Sequence, residues 1–227
     1  MQAALNRLNS GNHITTTYRT SVFAVNNSYQ AVAVAHDVLE NPTQFQEYLY
    51  TGIEQENANN LETADVMIND EKPETTEYSL QETQILDRLS RFSQDLDSRW
   101  KGALFSLNPN NPDATRHFCT SAREIFTEIF DSRAKDEVVF AALPNCEKTK
   151  NGKASRRSKI RYFLHKKGFV SDVVEDFIDK DMDNILELFH VLSKGTHGQA
   201  GTYSFEKLYS VKKRVEDGLI FLCDIAI

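Results

Sequence analysis

The residues best suited to chemistry stand in Ser193-Lys194-Gly195-Thr196-His197-Gly198. Gly195 and Gly198 leave the backbone open on both sides of His197, so a ligand can approach the ring, and an unperturbed imidazole titrates near neutral pH, as proton transfer needs. His197 is therefore the candidate acid or base, with Ser193 of the same motif in the catalytic set. The alternative is that His197 caps a helix end and the two glycines only make a turn. A second group is Arg116 and Arg123, seven positions apart and nearly two helical turns, so that both project from one side of a helix. Two guanidinium groups so placed can hold a phosphate through forked hydrogen bonds. The alternative pairs Arg123 with Glu124 or Asp113.

The third group is a run of nine lysines and arginines from Lys148 to Lys167 without one acidic residue. Within it Lys153, Arg156, Arg157, Lys159, Arg161 and His165 are the nucleic-acid-binding candidates, and Arg161 and His165, four apart, can reach one phosphodiester from a shared helix face. Equally open is a basic face that docks on acidic partners, including this chain's own segments Glu54 to Glu77 or Asp172 to Asp183. The net charge of -7 argues against nucleic acid by itself, because phosphate neutralisation supplies most nonspecific affinity, but the clustering of positive charge in this run favours it locally.

Several chemistries have no signature here. There is no phosphate-cradling Gly-rich loop, no Gly-x-Ser-x-Gly elbow and no His-Glu-x-x-His helix. Nor is there the Asp followed by a Glu-x-Lys strand of metal-dependent restriction-type nucleases. Cys119, Cys146 and Cys223 are odd in number and widely spaced, which fits buried reduced thiols better than a zinc site or redox pair. No metal and no cofactor are expected. No apolar run approaches the ~20 residues of a membrane span, and Met1 to Gly11 lacks the pattern of a secretory signal, so the cytosol is the expected location and no membrane partner is expected.

These groups must be positioned by helices. From Ser79 the sequence is regular: Ser79 and Glu82 have capping-box spacing, and Ile85, Leu89, Phe92, Leu96 and Trp100 form one continuous amphipathic stripe. Asn111-Pro112 opens a second helix that runs to about Ser132 and buries Phe118, Ile125, Phe126, Ile129 and Phe130. Ser155 caps a third, which stops at Gly168; Ser171 opens a fourth, broken near Gly195; a fifth begins at Ser204 and presents Leu208, Val211, Val215, Leu219 and Leu222. The expected fold is mainly α, an antiparallel bundle of about five helices over residues 79–227. Residues 54–78 are polar and acidic and read as a linker or loose loop. In residues 1–53, Ile14 to Ala35 can be two strands around Asn26-Asn27, or Tyr29 to Glu40 can be a helix ending before Asn41-Pro42.

Trp100-Lys101-Gly102-Ala103-Leu104, Asn111-Pro112-Asp113-Ala114, Arg116-His117-Phe118, Ser121-Ala122-Arg123-Glu124 and Gly195-Thr196-His197-Gly198 resemble a bacterial family described as predicted pPIWI-associating nuclease. The resemblance covers about Gln81 to Ile227 and implies a role in defence against phages or plasmids. An Arg-bearing helix followed by a polar His after a long helix also looks like the HEPN superfamily of helical ribonucleases. Its active members cut RNA without metal, using an Arg followed four to six residues later by His, usually at a dimer interface. This chain departs from that pattern: only three residues separate Arg161 from His165, and Ser193 and Lys194 stand before His197 where an Arg is expected.

The expected function is a component of a prokaryotic antiviral defence system, with a HEPN-like domain that binds and cleaves nucleic acid. The expected partners are RNA or DNA, a protein from a neighbouring defence gene, and a second copy of the chain. The rival expectation is a non-catalytic helical scaffold that docks on a larger ATPase or nuclease. A toxin or antitoxin of a two-gene pair is the third.

Overall fold

In the computed structural model the described residues are 16–68, 80–108, 110–111, 113–195 and 203–227, with side chains described only as far as 192 in the fourth of these stretches. Nine helices form among them: α1 (Thr16–Asp37), α2 (Gln44–Ile68), α3 (Leu86–Ser90), α4 (Gln94–Ser106), α5 (Ala114–Arg133), α6 (Asp136–Ala142), α7 (Arg156–Lys166), α8 (Asp172–Gly195) and α9 (Phe205–Ala226). The fold is mainly α, a helical bundle, as its apolar periodicities require. Among the described residues the β-structure is one isolated bridge, Lys148 to Ala154.

Helix ends follow from local chemistry. Ser155 is extended and its hydroxyl accepts from the Ser158 amide, which starts α7. At the other end Gly168 takes φ 70°, a left-handed conformation that costs glycine no Cβ clash. The Gly168 and Phe169 amides then donate to the His165 and Leu164 carbonyls at 3.0 Å each, closing a Schellman motif. Ser204 caps α9 through the Lys207 amide. The capping-box residue Ser79 and Pro112 lie outside the described residues.

The stripe from Ile85 to Trp100 corresponds to two helices rather than one. Ser93 is extended and accepts from the Leu96 amide at 3.1 Å, so the chain restarts there as α4. Ile85, Leu89, Leu96 and Trp100 are buried all the same, because the break keeps the register of the stripe. α5 begins at Ala114, after an Asx turn in which Asn111 Oδ1 accepts from the Asp113 amide at 3.0 Å.

The amino-terminal half differs most from expectation. Residues 16–37 are helical, so the two-strand alternative is excluded there, and the helix starts well before Tyr29. The acidic stretch expected as a loop is helix as far as Ile68, the second half of α2. Its burial of Ile53, Leu61, Ala64 and Met67 explains why it folds despite its charge. α1 packs along α8 and α2 along α9, so these helices share one apolar core with the rest. α9 is buried nearly all round, as a central helix must be.

Candidate functional site

Arg123, Phe126, Thr127, Phe130 and Asp131 fall at helical steps of three and four and so present one face of α5. That face forms one wall of a cavity of about 340 Å³. Met182, Ile185 and Leu186 of α8 complete its apolar floor, and Arg156 and Lys159 of α7 stand at its rim. The last wall is the turn between α6 and α7, which brings Thr149 and Lys153. That turn is fixed by Thr149 N to Lys153 O at 2.8 Å and by the Ala154 amide donating to Asp136 of α6 at 3.1 Å. Arg123 of the catalytic candidates and Lys153, Arg156 and Lys159 of the binding candidates thus line a single groove.

Their charges are not equally available. Arg156 donates to Asp179 at 2.8 Å and Asp183 at 2.6 Å. Burial lowers its pKa, but these carboxylates more than offset the effect and the net shift is upward. Lys159 Nζ is 2.6 Å from Asp131 and 3.9 Å from Asp136. Arg123 and Lys153 have no carboxylate partner among the described residues; the Arg123 guanidinium lies over the Phe189 ring, 5.7 Å from its centroid. The groove therefore holds two cations without a direct ion-pair partner among the described residues, over an apolar floor.

The other candidates are placed elsewhere. Arg116 is exposed on the first turn of α5, paired with Asp113, and does not line the groove. His117 Nε2 lies 3.5 Å from the same carboxylate. Arg161 binds Asp172 at 3.0 Å and Glu175 at 2.8 Å, while Arg157 is 3.6 Å from Asp176. Burial raises the pKa of Glu175, and Arg161 offsets this in part. His165 is exposed near the end of α7. Of the two readings of the basic run, docking on the chain's own Asp172 to Asp183 segment accounts for Arg156, Arg157 and Arg161: they clamp α7 to α8.

His197 and Gly198 lie outside the described residues, and Ser193 is known only as part of the last turn of α8. The chain just beyond them is anchored, since the Tyr203 hydroxyl donates to the Val191 carbonyl of α8 at 3.1 Å. Phe189, which supports Arg123, belongs to the same end of α8.

A second polar cluster has no counterpart among the sequence expectations. Arg214 of α9, with no exposed surface, donates to Glu56 of α2 at 2.6 Å and to Asp181 of α8. Burial pushes both carboxyls up in pKa, against the pull of Arg214. One guanidinium facing two carboxyls away from water is neutral when the pair keeps one proton. Asp181 falls in the apolar stripe of Val174, Ile178 and Ile185, where a hydrophobe is expected; that was the available signal. The cluster is sealed from substrate and holds three helices together. Cys119 and Cys223 are likewise no nucleophiles: burial pushes both thiols up to about 12.

Among the described residues no group of three or more His, Cys, Asp or Glu is arranged to hold a metal ion, and no helix is long and apolar enough to cross a membrane. The family model described as predicted pPIWI-associating nuclease matches residues 89–222, a stretch containing every residue of the groove. No curated protein and no solved structure matches the chain.

Proposed function

The chain belongs to the family of predicted pPIWI-associating nucleases, and from that premise we propose that it is a nucleic-acid-binding nuclease of a prokaryotic antiviral defence system, acting beside a pPIWI protein. The observation that carries this reading is the groove in which Arg123 and Lys153, both without carboxylate partners among the described residues, overlook an apolar floor. Cations attract the phosphodiester, and apolar surface accepts what lies between phosphates.

In this reading the domain works as HEPN-like ribonucleases do, without metal and as a homodimer. His197 moves the proton, and Arg123 neutralises the extra charge that develops on the phosphate in the transition state. The packing of Arg123 on Phe189 supports this, since it holds the guanidinium toward the end of α8 that leads into the histidine motif. Arg116 stands outside the groove and takes no part at this phosphate.

The test is incubation of the purified protein with RNA, single-stranded DNA and duplex DNA, with and without EDTA, beside His197→Ala and Arg123→Ala. Cleavage that survives EDTA and disappears in His197→Ala is expected. Cleavage unchanged by that substitution, or none on any substrate with the pPIWI partner present, overturns the catalytic assignment.

A second reading, the non-catalytic interaction subunit, is favoured by one observation. Phe105 at the end of α4 is 83 % exposed beside a cleft lined by Gly102, Leu107, Asn111 and His117. The ring and the cleft beside it together form one continuous surface of the kind a protein contact covers. Phe105→Ser that abolishes co-purification with the pPIWI protein while cleavage is absent in the parent chain would favour it.

A further inference from the structure

From the shape and charge of the groove we infer that it takes a single unstacked nucleotide of a single strand, with the base against the floor and the adjoining phosphates on Arg123 and Lys153. The inference deepens the proposed function and rests on its nucleic-acid reading. Three observations carry it.

The first is size. A cavity of about 340 Å³ is at the small end of the ~300–1,000 Å³ that holds small ligands. It accepts one base and sugar, not the breadth of a double helix.

The second is the floor. Phe126, Phe130, Ile185 and Leu186 offer apolar surface between the cations. A duplex turns phosphates outward and hides its base faces, so such a floor has nothing to meet. A single strand can splay a base onto it.

The third is the number of available charges. Arg156 and Lys159 are engaged by Asp179, Asp183, Asp131 and Asp136, which leaves Arg123 and Lys153 as the cations of the groove with no direct ion-pair partner among the described residues. Two cations match the phosphates on either side of one nucleotide rather than a long backbone track. Asp131, held by Lys159, and the Thr127 oxygen, whose proton goes to the Arg123 carbonyl at 2.9 Å, add acceptors for the polar edge of a base.

The experiment measures binding of the full chain to a labelled 2′-O-methyl RNA strand, which resists attack by its own sugar, and to the same strand annealed to its complement. A 2-aminopurine within the strand reports whether a base leaves the stack. The single strand is expected to bind at least about 10-fold tighter than the duplex, the scale of one base contact, with the 2-aminopurine signal rising on binding. The slope of log K against log salt is expected at about -1.4, two contacts at ~0.7 each, and at about -0.7 in Arg123→Ala.

Leu186→Glu is expected to abolish the preference. Thr127→Glu, on the exposed face of α5, does the same without touching the core and serves if the first variant does not fold. Equal binding of strand and duplex, or an unchanged 2-aminopurine signal, overturns the inference while leaving nucleic-acid binding in place if Arg123→Ala weakens both. Absence of binding to either overturns the proposed function along with it.

Discussion

Arg214 and Asp181 meet in the interior with no exposed surface on either side chain, the guanidinium donating directly to the carboxylate. Charges withdrawn from water in this way are held by each other, so the loss of one leaves the rest stranded. Arg214→Met is expected to destabilise the fold by about 3–5 kcal/mol in urea unfolding. Exchanging Glu56, Asp181 and Arg214 together for apolar residues of similar volume is expected to recover most of that loss. A small effect of Arg214→Met would show that water reaches the cluster.

The same cluster gives a pH dependence. Glu56 and Asp181 have raised pKa values in the folded chain, with burial as the leading cause, so the folded state holds protons that the unfolded state releases. The stability they contribute is complete below their ordinary values and falls as pH rises from about 4.5 toward the folded values. Glu56→Gln keeps an acceptor for Arg214 but cannot titrate. Its urea midpoint is expected to fall less than that of the parent between pH 5 and pH 8. Parallel profiles would place the proton elsewhere.

Gly218 of α9 faces the floor of the groove from behind. A Cβ built there would lie 2.5 Å from Ile185 Cδ1 and 3.4 Å from the Arg214 guanidinium. Gly218→Ala gains about 1 kcal/mol of helix propensity, but overpacking costs about 1–3 kcal/mol, so net destabilisation is expected. Adding Ile185→Val removes the clashing methyl and is expected to restore part of the loss. Thermal unfolding of both single variants and the double variant measures this coupling.

Arg161 separates a structural cation from a binding one. It donates to one oxygen of Glu175, whose side chain has no exposed surface, while its own side chain is 39 % exposed. Arg161→Ala is expected to cost about 1 kcal/mol, at the low end for an orphaned carboxylate because water screens part of the pair. The cost grows as pH rises above the ordinary glutamate value, since Glu175 loses the cation that favours its charged form. Oligonucleotide affinity is expected to stay within about twofold, in contrast to Arg123→Ala; a larger loss would make Arg161 part of the interface.

What the sequence discloses here depends on the range of the forces involved. α5, α7, α8 and α9 are legible because their stripes and their caps, Ser155 and Ser204, act within a few residues. The break at Ser93 is not, because burial at Leu89, Leu96 and Trp100 satisfies one helix or two equally well. α2 is masked by its acidity. The residue that makes Glu56 tolerable inside is Arg214, 158 positions away. The groove divides in the same manner. Arg123 and Lys153 are recognisable by type, but that Arg156 and Arg161 are already occupied becomes apparent only when α8 brings its aspartates alongside.

The tie between Glu56 and Arg214 also bears on synthesis. At ~5–20 residues per second, α2 leaves the ribosome on the order of ten seconds before the arginine that completes it. Until then a helix with Ile53, Leu61 and Met67 on one side has only α1 to pack against, and the acid among them lacks its cation. A chain cut down to the stretch shared with its family would carry Arg214 and Asp181 but not Glu56, and so would bury the pair without its second acid.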